Sequence, residues 1–185
     1  MGTLIYEMIT SLDGYINDAK GEFDWYTPDE ELHTFVNEAT QPVGTFLVGR
    51  RMYETMVYWE TAHTIPDQPE FMLEWARMWQ ARDKIVYSTS LESVSSERTR
   101  LERAFDPDAA RALKASTERD LTVDGPELAA TALRAGLVDE VGQYVCPVVV
   151  GGGTRFFPDD LRLDLELASE HRFNNGVVHV RYRVR

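Results

Sequence analysis

A glycine followed by two arginines, Gly49-Arg50-Arg51, stands where the apolar run Phe46–Val48 ends and a helical pattern begins. That combination suits an anion. Glycine lets a ligand approach the backbone, the first-turn N–H groups of a helix point outward, and guanidinium forks match phosphate oxygens. Taken alone, the doublet reads better as a solvated basic turn at a helix start. Two further segments repeat the strand-into-small-residue pattern. In Ile85-Val86-Tyr87-Ser88-Thr89-Ser90 the closing hydroxyls can donate to phosphate, and in Val123-Asp124-Gly125-Pro126 a glycine precedes a helix start. Ligands of open α/β sheets gather at the carboxyl ends of strands, so these three segments are expected to share one crevice. Pro126 has no N–H to offer and Glu127 carries the wrong sign for phosphate, so Gly125 is read as a place where a cofactor lies against the backbone. A plain helix start with proline in its first position explains the same residues.

A fourth segment carries a carboxylate and a ring. Glu31 and Phe35 are four residues apart and share a face of the helix expected from Thr27 to Ala39, with Thr27 as its cap. A carboxylate accepts two N–H bonds while a ring stacks, which would grip a flat, nitrogen-rich heterocycle. The neighbouring Asp29 and Glu30 complete an acidic first turn that equally complements the helix dipole.

The elements that must position these residues alternate. Strands are expected at Leu4–Ile9, Phe46–Val48, Lys84–Ser88, Leu121–Val123 and within Val138–Val150. Helices are expected at Arg51–Val57, Glu70–Gln80, Asp106–Ala115 and Pro126–Ala135, the last stopped by Gly136. Leu163–Phe173 and Gly176–Val184 alternate apolar and polar residues around Asn174-Asn175-Gly176, a hairpin signal. The pattern predicts an α/β fold: a mostly parallel central sheet with helices on both faces and an antiparallel C-terminal hairpin.

With 185 residues, 43% of them hydrophobic, the chain suits a single domain over residues 1–185. Its net charge of -12 disfavours nucleic acid and anionic membrane, so any phosphate must be captured locally. The single cysteine, Cys146, excludes an intrachain disulfide, and the four histidines lack metal-ligand spacing, so no metal is expected. The start lacks the basic and apolar regions of a signal peptide, which makes the cytoplasm the expected compartment.

Taken in order, SLDGYI, DW before an acidic helix, LVGRRMYE, IVYSTSL, VDGPELAATALRAGLVDEV and PVVVGGGTRFF resemble the dihydrofolate reductase-like family that includes the C-terminal reductase domain of bifunctional riboflavin biosynthesis enzymes. The resemblance spans nearly the whole chain. It implies a dihydrofolate reductase-like fold with a sheet of about eight strands, an NADPH site across strand ends, hydride transfer to a small heterocyclic substrate, and a homodimer. Arg50 resembles the arginine that meets the 2′-phosphate of NADPH, with Gly49 and Arg51 beside it and Ser88 as its partner hydroxyl. Gly125 resembles the first glycine of the nicotinamide-side pair. Glu31, Leu32 and Phe35 resemble the groups that hold a pterin, Glu31 being the catalytic acid, and Asp13 and Trp25 match residues at the pocket rim.

The chain also departs from the family. Met52 replaces a threonine that contacts pyrophosphate, Pro126 replaces a second glycine, and Thr89 stands where a basic residue is frequent. The segment through which riboflavin-pathway reductases engage a ribosyl phosphate is absent. An alternative expectation is therefore a non-catalytic, dinucleotide- or flavin-binding homodimer.

Overall fold

The computed structural model describes residues 1–185. Strand β1 (Leu4–Ser11) enters a turn at Gly14 and a short strand, β2 (Tyr15–Asn17). Helix α1 (Glu30–Thr40) leads to β3 (Val43–Gly49), α2 (Arg50–Met56), α3 (Glu70–Ala81), β4 (Asp83–Tyr87) and the edge strand β5 (Thr99–Glu102). The chain continues through α4 (Pro107–Ser116), β6 (Asp120–Asp124), α5 (Pro126–Arg134) and β7 (Glu140–Cys146). It closes with β8 (Thr154–Arg155), which pairs with β2, and the hairpin β9 (Leu165–Arg172) and β10 (Val178–Val184). No helix is long and apolar enough to cross a membrane.

Eight strands form one sheet in the order β5-β4-β3-β6-β1-β7-β10-β9. Pairing is parallel from β5 to β7 and antiparallel at β7-β10-β9, the architecture expected from the alternation of elements. Strand alternation sends side chains to two faces. Leu47, Ile85, Leu121, Val123 and Val141 meet α4 and α5 on one face, where Ala110, Ala129, Ala132 and Leu133 complete the core. On the other face the apolar cover is divided. Phe46, Val48 and Val86 pack with Tyr53 of α2 and Trp79 of α3, while Leu32 of α1 packs with Tyr144, Cys146, Phe173 and Val177. Fully burying a leucine such as Leu32 contributes about 2–3 kcal/mol. Between these clusters lie the central strands β6 and β1, which present Thr122, Asp124 and Glu7 to this face.

Local differences from the expected elements have physical causes. Helix α1 starts at Glu30 rather than after Thr27, because the Asp29 carboxylate accepts from the Leu32 N–H at 3.0 Å and so sets the cap. Strand β5, Thr-Arg-Leu-Glu, carries too little apolar pattern to read from sequence, since an edge strand half open to water needs little. Gly136 ends the last turn of α5 at φ +62, as its position predicted. A Cβ there would meet nothing within 4 Å, so Gly136→Ala isolates the left-handed backbone cost. We expect a loss of about 1 kcal/mol in urea unfolding.

Candidate functional site

Adjacent parallel strands β3 and β6 send their chains to opposite faces of the sheet, β3 into α2 and β6 into α5. Such a divergence opens a crevice at the strand ends. Gly49 and Gly125 sit on its two lips. Gly125 is buried at φ +99, and a Cβ built on it would stand 3.6 Å from the Met52 Cβ and 3.9 Å from the Gly49 nitrogen. Both glycines are helix N-caps without a side-chain hydrogen bond, whereas α1 and α4 are capped by Asp29 and Asp106. The first turns beside the crevice therefore keep N–H groups free of side-chain caps.

The arginines stand at the same lip, each with a carboxylate. Arg50 pairs with Glu54 at 3.0 Å, and Arg51 with Glu127 at 3.3 Å across to α5. Both pairs are solvent-exposed and weak enough to exchange for a phosphate. Beyond β4, the buried Ser88 hydroxyl accepts from the Ser90 N–H at 3.2 Å and the Leu91 N–H at 3.0 Å and lies 3.5 Å from the Ser90 hydroxyl. Thr89 is exposed beside it. Arg103, which sequence reasoning missed, donates to the Ser88 and Leu91 carbonyls and adds a cation to this end. An isolated arginine in a charged stretch gives no sequence signal for that contact.

The residues expected on the substrate side lie on the rim toward β7 and the hairpin. Both Glu31 oxygens accept from Asn174, one from its backbone N–H at 3.1 Å and both from its side-chain amide. Asn175 donates to Tyr26 and Asp29 in the same way, so the Asn-Asn-Gly turn clamps the start of α1. Phe35 stacks on His171 at 5.0 Å and meets Phe173 and His179 edge-on. Trp25 is half-buried against the Leu32 cluster, and its indole N–H has no partner. Asp13 accepts from the Val150 and Gly151 N–H groups, tying the end of β1 to the glycine-rich turn.

The floor holds a polar group that no sequence motif marks. Glu7 of β1 lies opposite Gly142 of β7, which in turn lies opposite Arg181 of β10. A Cβ on Gly142 would sit 2.1 Å from the Glu7 Oε1. The missing side chain lets the carboxylate cross β7. There it accepts from His179 Nε2 at 2.7 Å, from Arg181 at 2.9–3.1 Å and from the Tyr144 hydroxyl at 3.2 Å. Burial works to raise the Glu7 carboxyl, but His179 and Arg181 outweigh it and hold the group below its ordinary range.

Asp124, beside Glu7 at the end of β6, differs. Its Oδ2 accepts from the Thr122 hydroxyl at 2.6 Å, and no cation faces it. Burial, reinforced by the Glu7 charge and opposed by the Thr122 hydrogen bond, pushes its carboxyl up to about 7. Two cavities lie elsewhere. One of about 490 Å³ opens at the amino ends of the strands near Thr3, Asp139 and Arg183, away from all these groups. Another of about 330 Å³ opens under the Asp13 turn, between Gln143, Arg155 and Phe156.

Comparison with known proteins identifies the family and the fold. The sequence profile of the RibD C-terminal domain matches residues 2–179. The uncharacterized protein YyaP of Bacillus subtilis is 26% identical over 183 residues, covering 97% of this chain and 93% of that protein. Among solved structures, a putative riboflavin biosynthesis protein from Shewanella sp. PV-4 superposes with a TM-score of 0.74 at 21% identity, over 99% of each chain. Dihydrofolate reductase from Enterococcus faecalis, solved with NADP(H) and RAB-propyl, superposes with a TM-score of 0.65 at 17% identity, over 100% of this chain and 97% of that one. The fold is thus dihydrofolate reductase-like.

Proposed function

The chain belongs to the RibD C-terminal domain family, and from that premise we propose that it is an NADPH-dependent reductase of a small heterocyclic substrate, pterin-like or ribosylaminopyrimidine-like. One observation carries the reading: the strand ends of β3 and β6 diverge with a glycine on each lip and arginines beside them. These residues fit a dinucleotide, because Gly49 and Gly125 leave its approach to the backbone open and Arg50, Arg51 and Ser88 supply donors for phosphate. When bound, NADPH supplies a hydride. The protein's part is to place a flat substrate over the Glu7 and Asp124 floor, to exclude water, and to hold a proton for the atom beside the hydride acceptor.

NADPH fluorescence with a panel of dihydropterins and ribosylaminopyrimidines tests this. Saturable binding with NADPH oxidation on adding one of them is expected, and absence of NADPH binding contradicts it. Arg50→Ala is expected to weaken NADPH binding about tenfold while changing NADH binding little, since a charge-assisted hydrogen bond to the 2′-phosphate contributes about 1.5 kcal/mol. Equal effects on both would return Arg50 to its pair with Glu54.

The paired arginines, together with Met52 and Pro126, favour a second reading, a dinucleotide- or flavin-binding protein without turnover. Binding without oxidation across the panel selects it. Under either reading we place the protein in the cytoplasm as a homodimer. Support for the dimer comes from β9, an edge strand exposed along its length, with Leu165 37% and Leu167 50% exposed. Sedimentation at micromolar concentration tests this, with a single monomeric species as the contrary result.

A further inference from the structure

We propose that Asn174 determines specificity by filling the Glu31 and Phe35 grip with the chain's own atoms, an inference that rests on the reductase reading above. It turns away heterocycles that present a ring N–H beside an amino group. An acid and a ring on one helix face can hold such a ligand, the carboxylate accepting the N–H pair while the ring packs against it. The turn between β9 and β10 supplies both parts itself. The Asn174 backbone N–H donates to Glu31 Oε2 at 3.1 Å, and its side-chain amide donates to Oε1 at 3.1 Å and Oε2 at 3.0 Å. Phe173, 1% exposed, stands edge-on to Phe35 with ring centroids 5.2 Å apart. Two consecutive residues thus reproduce a ring that carries N–H donors at one end.

The turn has anchors of its own that keep Asn174 in place. Asn175 donates to the Tyr26 hydroxyl at 2.6 Å and to Asp29 Oδ2 at 2.7 Å, and its side-chain oxygen accepts from the Val177 N–H at 3.0 Å. The Gly176 N–H donates to the Phe173 carbonyl at 3.2 Å, and the Phe173 N–H to the Val177 carbonyl at 2.9 Å. A carboxylate that already accepts three contacts gains little by exchanging them for a ligand's pair. The exchange would also strand the N–H groups of Asn174 or those of the ligand, which is how a polar site rejects a near-isostere.

The unfilled polar positions lie deeper than Glu31, which is exposed. Trp25 and Phe35 pack on the same cluster as Leu32, and the Trp25 indole N–H has no partner there. Nδ1 of His179, a residue 2% exposed whose ring meets Phe35 at 5.2 Å, has none either. Unpaired buried polar atoms are rare and call for a partner. The open part of the grip is therefore its ring side, and its acid side is closed.

Calorimetry with 2,4-diaminopteridine, which offers a carboxylate the N–H pair when protonated on its ring, tests this without turnover. Asn174 lies outside the left-handed region, so alanine fits its backbone, and the Asn175 bonds retain the turn. Asn174→Ala frees Oε1 and should bind the probe about tenfold more tightly than wild type, because a charge-assisted contact becomes available. Adding Glu31→Gln should abolish that gain. In the otherwise wild-type chain, Glu31→Gln should change probe affinity by less than about threefold, since Asn174 already occupies the carboxylate. A wild type that loses about tenfold in probe affinity on Glu31→Gln overturns the proposal, as does a gain in Asn174→Ala that persists without Glu31. If NADPH does not bind the wild type, the reductase reading fails and the role in substrate choice with it. If NADPH binds and Asn174→Ala leaves probe affinity unchanged, the Asn174 role alone fails.

Discussion

Replacing Glu7 with alanine is expected to remove about 3–5 kcal/mol of stability, read as a lower urea midpoint. The carboxylate is 14% exposed and is the shared acceptor for His179, Arg181 and Tyr144. Removing it strands Arg181, 18% exposed, with only Glu140 at 3.8 Å to offset its charge. It also leaves a cavity above Gly142, which has no side chain to fill the space. The double variant Glu7→Leu, Arg181→Met should recover much of the loss, because a buried ion pair replaced by apolar groups costs far less than a broken one. Because the folded Glu7 carboxyl is lowered, its contribution is present above the unfolded value of 4.5 and is lost as pH falls through the lower folded value. The gap between wild type and Glu7→Ala should therefore close in acid. A loss below about 1 kcal/mol at pH 7 would show that the cluster does not hold β1, β7 and β10 together.

Asp124→Asn is expected to act in the opposite direction and stabilise the fold at pH 8 by about 2–4 kcal/mol, since a carboxyl tenfold harder to ionise in the folded state costs about 1.4 kcal/mol when ionised. Asp124 has a folded value near 7 against 3.8 unfolded, so folding favours its protonated form. Above 7 the cost of the enclosed carboxylate is fully present. It declines as pH falls through 7 and vanishes below 3.8. Asparagine keeps an acceptor for the Thr122 hydroxyl and carries no charge. Thermal unfolding at pH 8 and pH 4 checks this: the variant should exceed wild type at the first and match it at the second. A variant less stable than wild type at pH 8 would mean that the carboxylate is satisfied there. A residue that costs stability points to use rather than architecture.

Much of the scaffold was legible because its signals are local. Gly136 marks the end of α5 through backbone preference alone, and Asn174-Asn175-Gly176 turns the hairpin through Gly176 at φ +89. The Gly49 and Gly125 strand ends were legible for the same reason. What was hidden depends on partners distant in sequence. Glu31 and Phe35 share a helical face, but nothing in their spacing tells that Asn174, 143 residues on, takes the carboxylate, or that His171 and Phe173 enclose the ring. Glu7 reads as the polar member of an alternating strand, although His179 and Arg181 reach it from 172 and 174 residues away. In sequence Asp124 is only the residue between a short strand and the glycine of a helix start. Only the sheet register sets it beside Glu7 and the Gly125 lip.

In the proposed reading, the crevice between β3 and β6 holds NADPH with its reacting end toward Asp124. A crystal structure of the protein soaked with NADPH tests it most directly. The 2′-phosphate is expected within hydrogen-bonding distance of Arg50, the backbone of the dinucleotide against Gly49 and Gly125, and the nicotinamide beside Asp124. A dinucleotide bound in the cavity near Thr3 and Arg183, or the reverse orientation with the nicotinamide at Arg50, would contradict it.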